Sequence, residues 1–200
     1  NGSQQFLHLV TDCLIDPGDI VIVGDPTYFV YLGCLFSTEA RAIGVPCDQN
    51  GLVVDALEEV LQKLRTTGEI SRLKMIYVMS YYQNPTGVSL SGERRMQLLD
   101  LVQQLDREGH FVCVLEDTAY RELYFDRLPI PSIKSLDVEN RHVAMTGSFS
   151  KAFAPGLRLG YGIMPPWLTP HVLRQKGNED FGSTNLCQHL AWAALQTGRF

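Results

Sequence analysis

Leu73-Lys74-Met75-Ile76-Tyr77-Val78-Met79, followed at once by Ser80-Tyr81-Tyr82-Gln83-Asn84-Pro85-Thr86-Gly87, decides how this chain is read. The first seven residues are apolar almost throughout and do not alternate, as a strand covered on both faces does not. The next eight break the run with Asn, Pro and Gly, residues that favour turns. The same pairing of an apolar run with a polar or aromatic loop recurs along the chain. Asp19 to Val23 leads into Gly24-Asp25-Pro26-Thr27-Tyr28. Phe111 to Leu115 leads into Glu116-Asp117-Thr118-Ala119-Tyr120, and His142 to Thr146 into Gly147-Ser148-Phe149-Ser150-Lys151.

Helical periods lie between these runs. Val54, Leu57, Val60, Leu61 and Leu64 share one face, as do Leu98, Leu101, Val102 and Leu105. Ser91 reads as the N-cap of the second helix and Gly109 as its stop. Phe6, Leu9, Val10, Cys13 and Leu14 form a third stripe, and Leu186, Leu190, Ala193, Ala194 and Leu195 a last one. The alternation predicts an α/β fold of three layers, a mostly parallel sheet with helices on both faces. Phe29, Tyr124 and Trp167 read as core; Tyr81 and Tyr82 read as packing or as pocket wall.

Composition narrows the function. The 200 residues are 45% hydrophobic and 20% charged, and 17 basic against 22 acidic residues give a net charge of -5. That balance carries no electrostatic footprint for nucleic acid. No apolar run approaches the roughly 20 residues of a membrane span, and apolar residues are spread too evenly for disorder. A chain this long buries roughly 70% of its unfolded surface without a staple. The five cysteines are scattered and odd in number, which argues against a disulfide framework and for a reducing, cytoplasmic setting. The five histidines show no metal-ligand spacing, so no metal is expected.

Ligands of such folds sit beyond the carboxyl ends of the strands. Those ends deliver an aromatic (Tyr28), an amide in a turn (Asn84), an acid with a phenol (Asp117, Tyr120), and a serine with a lysine (Ser148, Lys151). Asn1-Gly2-Ser3-Gln4-Gln5 opens a helix whose free N–H groups suit a phosphate, and Arg158 adds a permanent bidentate charge. A lysine that forms a Schiff base and an aspartate on a ring nitrogen are the pattern of pyridoxal phosphate sites.

The chain resembles the fold-type-I pyridoxal-phosphate enzymes, specifically the class I/II aminotransferases of the aminoadipate, kynurenine and aromatic kind. The resemblance runs from Asn1 to about Gln188, through N-G-S-Q-Q (1–5), D-P-T-Y (25–28), N-P-T-G (84–87), E-D-T-A-Y (116–120) and S-F-S-K-A-F-A-P-G-L-R-L-G (148–160). It implies that Lys151 is the Schiff-base lysine and proton shuttle, and that Asp117 partners the ring nitrogen of pyridoxal 5′-phosphate. Tyr120 and Asn84 would bond the phenolic oxygen and Tyr28 would stack on the ring. Gly2, Ser3, Gln4, Ser148 and Arg158 would hold the phosphate. It further implies amino-group exchange between an amino acid and a 2-oxo acid, in a homodimer in its full-length form.

In that family 200 residues is about half a subunit. Residues 1–200 are therefore expected to be the cofactor-binding large domain, truncated at both ends and lacking the small C-terminal domain. Alone they are expected to show little or no transamination. Three other readings stay open. A lyase, decarboxylase or synthase can use the same scaffold. An aminotransferase-like sensor domain of a transcription regulator is another, although such domains typically carry H-Q-Y/F-P-T-G where this chain keeps Asn84. Finally, Ser148-Phe149-Ser150-Lys151 is also S-x-x-K, the nucleophile motif of penicillin-binding proteins and class A β-lactamases. Ser183-Thr184-Asn185 and Gln196-Thr197-Gly198 echo its companion motifs, but the last lacks the lysine.

Overall fold

A computed structural model of the chain describes residues 1–125 and 130–198. Seven strands form one sheet in the order β3-β2-β1-β4-β5-β6-β7. The parallel centre comprises β2 (Arg41–Asp48), β1 (Ile20–Asp25), β4 (Leu73–Met79), β5 (Cys113–Asp117) and β6 (Val143–Ser148). The short β3 (Gly51–Leu52) and the edge strand β7 (Gly160–Ile163) run antiparallel to their neighbours.

Strands β1, β4, β5 and β6 start or end within a few residues of the four runs read from the sequence. Their residues are buried on both faces because helices cover both. On one face α3 (Val54–Thr67), α4 (Gly92–Arg107) and the short α5 (Ile133–Leu136) pack on Ile20, Ile22, Ile76, Val114 and Val143. On the other, α1 (Gly2–Leu14), α2 (Phe29–Ser37) and α7 (Thr169–Asp180) pack on Val21, Val23, Met75, Tyr77 and Leu115. Three layers result, as expected. α6 (Phe149–Ala152) is a single turn after β6, and α8 (Asn185–Gln196) closes the described chain.

The helix ends follow capping chemistry. Ser91 Oγ accepts the Arg94 N–H at 3.3 Å and starts α4. Gly109, at φ +88°, ends it: its N–H donates to Asp106 O at 3.0 Å and the His110 N–H to Leu105 O at 2.8 Å, the paired bonds of a Schellman motif.

Strand β2 carries Gly44 and Pro46 and is mostly exposed, so it gives no apolar run; beside the two-residue β3 it tolerates proline as a near-edge strand does. α2 has apolar residues on every side and Gly33 in its middle, which hides its period. Phe29 is not core: it is 74% exposed, because Tyr28 before it turns inward and the first helical residue then faces out. Tyr124 is also more exposed than a core residue, at 38%. Trp167 does pack, edge-on to Phe111, with its indole N–H donating to Arg141 O. α8 forms as its stripe suggests, yet only Ala191 and Ala194 are buried.

Candidate active site

The strand order reverses direction between β1 and β4, since β2 lies on one side of β1 and β4 on the other. A crevice opens at the carboxyl ends of strands at such a point. There a cleft of about 170 Å³ is lined by Ser3, Gln4, Tyr28, Asn84, Asp117, Tyr120, Ser148, Lys151 and Arg158. Nine of the ten residues singled out in the sequence therefore share one cavity. The tenth, Gly2, begins α1 at φ +76°, and a Cβ there would lie 3.4 Å from the Arg158 guanidinium. Leu7, Met79, Ala119 and Ser150 complete the wall; the sequence reading did not mark them, because apolar and small residues carry no chemical signature.

Most of these side chains come from a strand end, the loop after it or the first turn of α1, whereas Arg158 ends a 3-10 turn over Pro155–Leu157. Asp117 ends β5 on the face that also carries Cys113 and Leu115. Only 3% of it is exposed. Its Oδ1 accepts the Ala119 N–H at 2.9 Å and its Oδ2 the Tyr77 hydroxyl at 3.1 Å. Burial pushes its pKa up to about 6; those two bonds pull it down and the neighbouring Glu116 pushes it up again. Tyr28, just after the Asp25-Pro26 bond, titrates above its ordinary range, first through burial and then through the negative field of Asp117. Lys151 sits in α6, its Nζ 5.5 Å from the centre of the Tyr120 ring. Ser148 caps that turn by accepting the Ser150 N–H at 3.1 Å.

α1 presents its first turn to the same cleft. Asn1 makes no side-chain cap bond, so the N–H groups at that end keep their positive field for an anion. Gly160 of β7 lets this end come close, since a Cβ there would lie 2.5 Å from the Ser3 nitrogen. The cleft thus combines a buried carboxylate with N–H groups, serines and a guanidinium gathered near the start of α1. Tyr28 feels both Asp117 and Arg158, and a lysine lines the same wall. That donor set suits a flat ligand with an anionic group at one end and a protonated ring nitrogen at the other.

The loops are braced from behind. Gln83 Nε2 donates to Pro26 O at 2.7 Å, and Thr86 Oγ1 donates to Gln83 Oε1 at 2.8 Å, tying the Asn84 turn to the Tyr28 loop. Arg95 is fully buried and donates to Leu90 O, Ser80 O and Pro131 O, closing the base of the loop that carries Asn84. Glu116, 4.0 Å from it, accepts from the Ser80 hydroxyl and the N–H groups of Ile133 and Lys134. Tyr81 belongs to this packing, under the Arg95 guanidinium at 4.1 Å. Tyr82 is half-buried and outside the cleft. Nothing local in the sequence marks Gln83, Arg95 or Tyr77 as braces; only the fold brings their partners near. Ser183, which the S-x-x-K reading needs beside Lys151, lines a different hollow with Phe149, Leu159 and Trp192.

The sequence model for aminotransferases of class I and II matches residues 1–200. The chain belongs to this family. It is 37% identical over 198 residues to an aromatic-amino-acid aminotransferase of Thermococcus litoralis, a match covering 99% of this chain and 46% of that protein. It superposes with a TM-score of 0.92 and 36% identity on a Pyrococcus horikoshii kynurenine aminotransferase solved in complex with PMP, covering 99% of this chain and 47% of that one. An uncharacterized HTH-type transcriptional regulator of Bacillus subtilis, YdfD, is 31% identical over 200 residues, 39% of its own length. The chain spans about half the length of the aminotransferases it matches or less.

Proposed function

We propose that residues 1–200 are the cofactor-binding large domain of a pyridoxal 5′-phosphate-dependent aminotransferase that exchanges the amino group of an amino acid with a 2-oxo acid. The observation that carries this reading is the polarity of the cleft. A buried carboxylate, an anion-binding helix start, a guanidinium, a lysine and an aromatic side chain line one and the same cleft. When bound, pyridoxal phosphate supplies a carbonyl carbon that takes up amines and a ring that accepts an electron pair.

The chain's own residues then divide the work. Asp117 pairs with the ring nitrogen and holds its proton there, an arrangement that repays the cost of burying the carboxylate. Tyr120 and Asn84 donate to the phenolic oxygen, and Tyr28 covers one face. Gly2, Ser3, Gln4, Ser148 and Arg158 bind the phosphate through N–H groups, hydroxyls and a guanidinium. Lys151 would hold the cofactor through its amine, and that amine would serve as the base for the amino acid's α-proton.

The full protein acts as a homodimer in the cytoplasm. The exposed Phe29, which shares a hollow with Gln4 and Arg158, and the exposed Phe36 on the same helix support an interface along α2. No helix among the described residues is long and apolar enough to cross a membrane.

The test is an absorbance titration with pyridoxal phosphate, followed by borohydride reduction and peptide mapping. A fixed adduct on Lys151 is expected, and an adduct on another lysine, or none, overturns the reading. The similarity to YdfD favours a second reading, a ligand sensor on the same scaffold. Release of a 2-oxo acid from an added amino acid, with the spectrum restored by a second oxo acid, separates the enzyme from the sensor and from a lyase.

A further inference from the structure

Tyr77 lies wholly inside the protein, on β4, two residues before the end of that strand. A tyrosine in the centre of an apolar layer is expensive unless its hydroxyl finds a partner. Here the partner is Asp117 Oδ2 at 3.1 Å, and the phenol is the donor because a carboxylate only accepts. The ring itself is held. Tyr31 of α2 stacks on it with centroids 3.9 Å apart and planes 26° from parallel. The Tyr31 hydroxyl lies 3.0 Å from Thr11 Oγ1. Thr11 Oγ1 also donates to Leu7 O at 2.8 Å, and the Tyr31 hydroxyl lies 4.0 Å from Met75 Sδ. Contacts therefore run from Thr11 of α1 through two stacked rings to the Asp117 carboxylate.

We propose that Tyr77 is a positioning residue for Asp117: its hydroxyl, carried on a ring stacked against Tyr31, donates to the carboxylate and fixes its plane for a cationic ligand. Each Asp117 oxygen receives one donor from the protein, the Ala119 N–H on Oδ1 and Tyr77 on Oδ2. Each keeps a lone pair free toward the cleft. Burial has already raised the Asp117 pKa, the Tyr77 bond pulls it back, and without that bond the acid would titrate higher still. The other groups that face Asp117 do not replace this donor. Glu116 on the same strand adds negative charge. Tyr28, Tyr120, Lys151 and Arg158 line the cleft in front of it but make no hydrogen bond to it. Tyr31 and Cys113, on its apolar side, are buried and neutral.

The purpose assigned to Tyr77 rests on the proposed cofactor reading, but its effect on Asp117 is measurable without cofactor. In the intact, ligand-free chain labelled with ¹³C-aspartate, the Asp117 carboxyl is titrated by NMR, assigned by its absence in Asp117→Asn. Tyr77→Phe is expected to raise the Asp117 midpoint by at least half a pH unit. Tyr77→3-fluorotyrosine, a stronger donor of nearly the same shape, is expected to lower it. Tyr31→Phe keeps the stack and the Tyr77 hydroxyl and is expected to leave the midpoint within about 0.2. Opposite shifts for the two Tyr77 variants cannot come from loosened packing. Unchanged midpoints in both overturn the proposal, as does a shift of the same sign in both. If Tyr77→Phe does not fold, the fluorotyrosine variant decides alone. Pyridoxal phosphate is then titrated into each variant by fluorescence quenching. Midpoints that shift as expected, with no binding to any form, retain Tyr77's hold on Asp117 and overturn the cofactor reading instead.

Discussion

Two buried aspartates stand at opposite ends of the sheet and are treated in opposite ways. Asp117 ends β5 at the cleft, and Asp137 lies ahead of β6 at the far rim. They are 3% and 4% exposed. Asp137 accepts four donors: the N–H groups of Arg141, His142 and Val143 and the Lys134 ammonium, all at 3.0–3.1 Å. Burial pushes its pKa up, but those bonds outweigh burial and hold it below the ordinary value. Asp117 has two donors and no cation, and there burial wins. The first carboxylate is satisfied by the fold that buries it. The second is left short of donors by that fold, at the wall of the cleft. Strain of this kind collects where a protein binds something.

The sharpest way to break this comparison is Asp137→Ala. It strands three N–H groups and an ammonium, and a loss of roughly 3–5 kcal/mol is expected. Urea unfolding reads it, and a loss under about 1 kcal/mol would show that Asp137 is no keystone. Asp117→Asn should act in the other direction. Removing a poorly solvated charge is expected to raise ligand-free stability at pH 8 by up to about 3 kcal/mol, since the shift from 3.8 to about 6 is worth that much. The same variant should weaken pyridoxal phosphate binding roughly 100-fold or more, because it removes one side of a buried pair. A variant that is both less stable and binds normally would sink the contrast.

The two acids also predict opposite pH dependences. Asp117 keeps its proton in the folded protein up to about pH 6 but loses it near 3.8 when unfolded. Its contribution is full below about 4 and fades as pH rises through 6. Between pH 5 and 8 the stability of the wild type relative to Asp117→Asn should therefore fall by roughly 1 kcal/mol. Asp137, held low, contributes at all higher pH and loses its stabilising effect only as pH drops below the ordinary carboxylate range. Unfolding curves at pH 3, 5 and 8 for the two variants separate these slopes. The smallest effect belongs to Arg141→Ala. Its guanidinium is half exposed against Asp106, and exposed pairs of this kind contribute under about 1 kcal/mol. A larger loss would mean that the far rim is held by its surface and not by Asp137.

How legible these regions were differs too. Strands buried on both faces announce themselves as apolar runs, so β1, β4, β5 and β6 could be read directly. The loops after them could be read because Asn84-Pro85-Thr86-Gly87 and Ser148-Phe149-Ser150-Lys151 concentrate turn-forming and reactive residues. Strand β2 could not, since an exposed near-edge strand with Gly44 and Pro46 has neither a run nor an alternation. Phe29 misled because hydrophobicity reports a preference for burial, not its occurrence.

Sequence alone marked nine residues that line one cleft, most of them in loops that follow strands. Local propensity and apolar runs are encoded within a few residues, and a parallel sheet then fixes which loops share a rim. Only the tertiary structure decided which carboxylate would lack its donors. Tyr77 reaches Asp117 across 40 residues of chain and Gln83 reaches Pro26 across 57, while Arg95 closes the base of a loop it does not belong to. Burial and hydrogen-bond partnership are properties of the packed whole, and they set the charge on Asp117 that no local pattern of residues could.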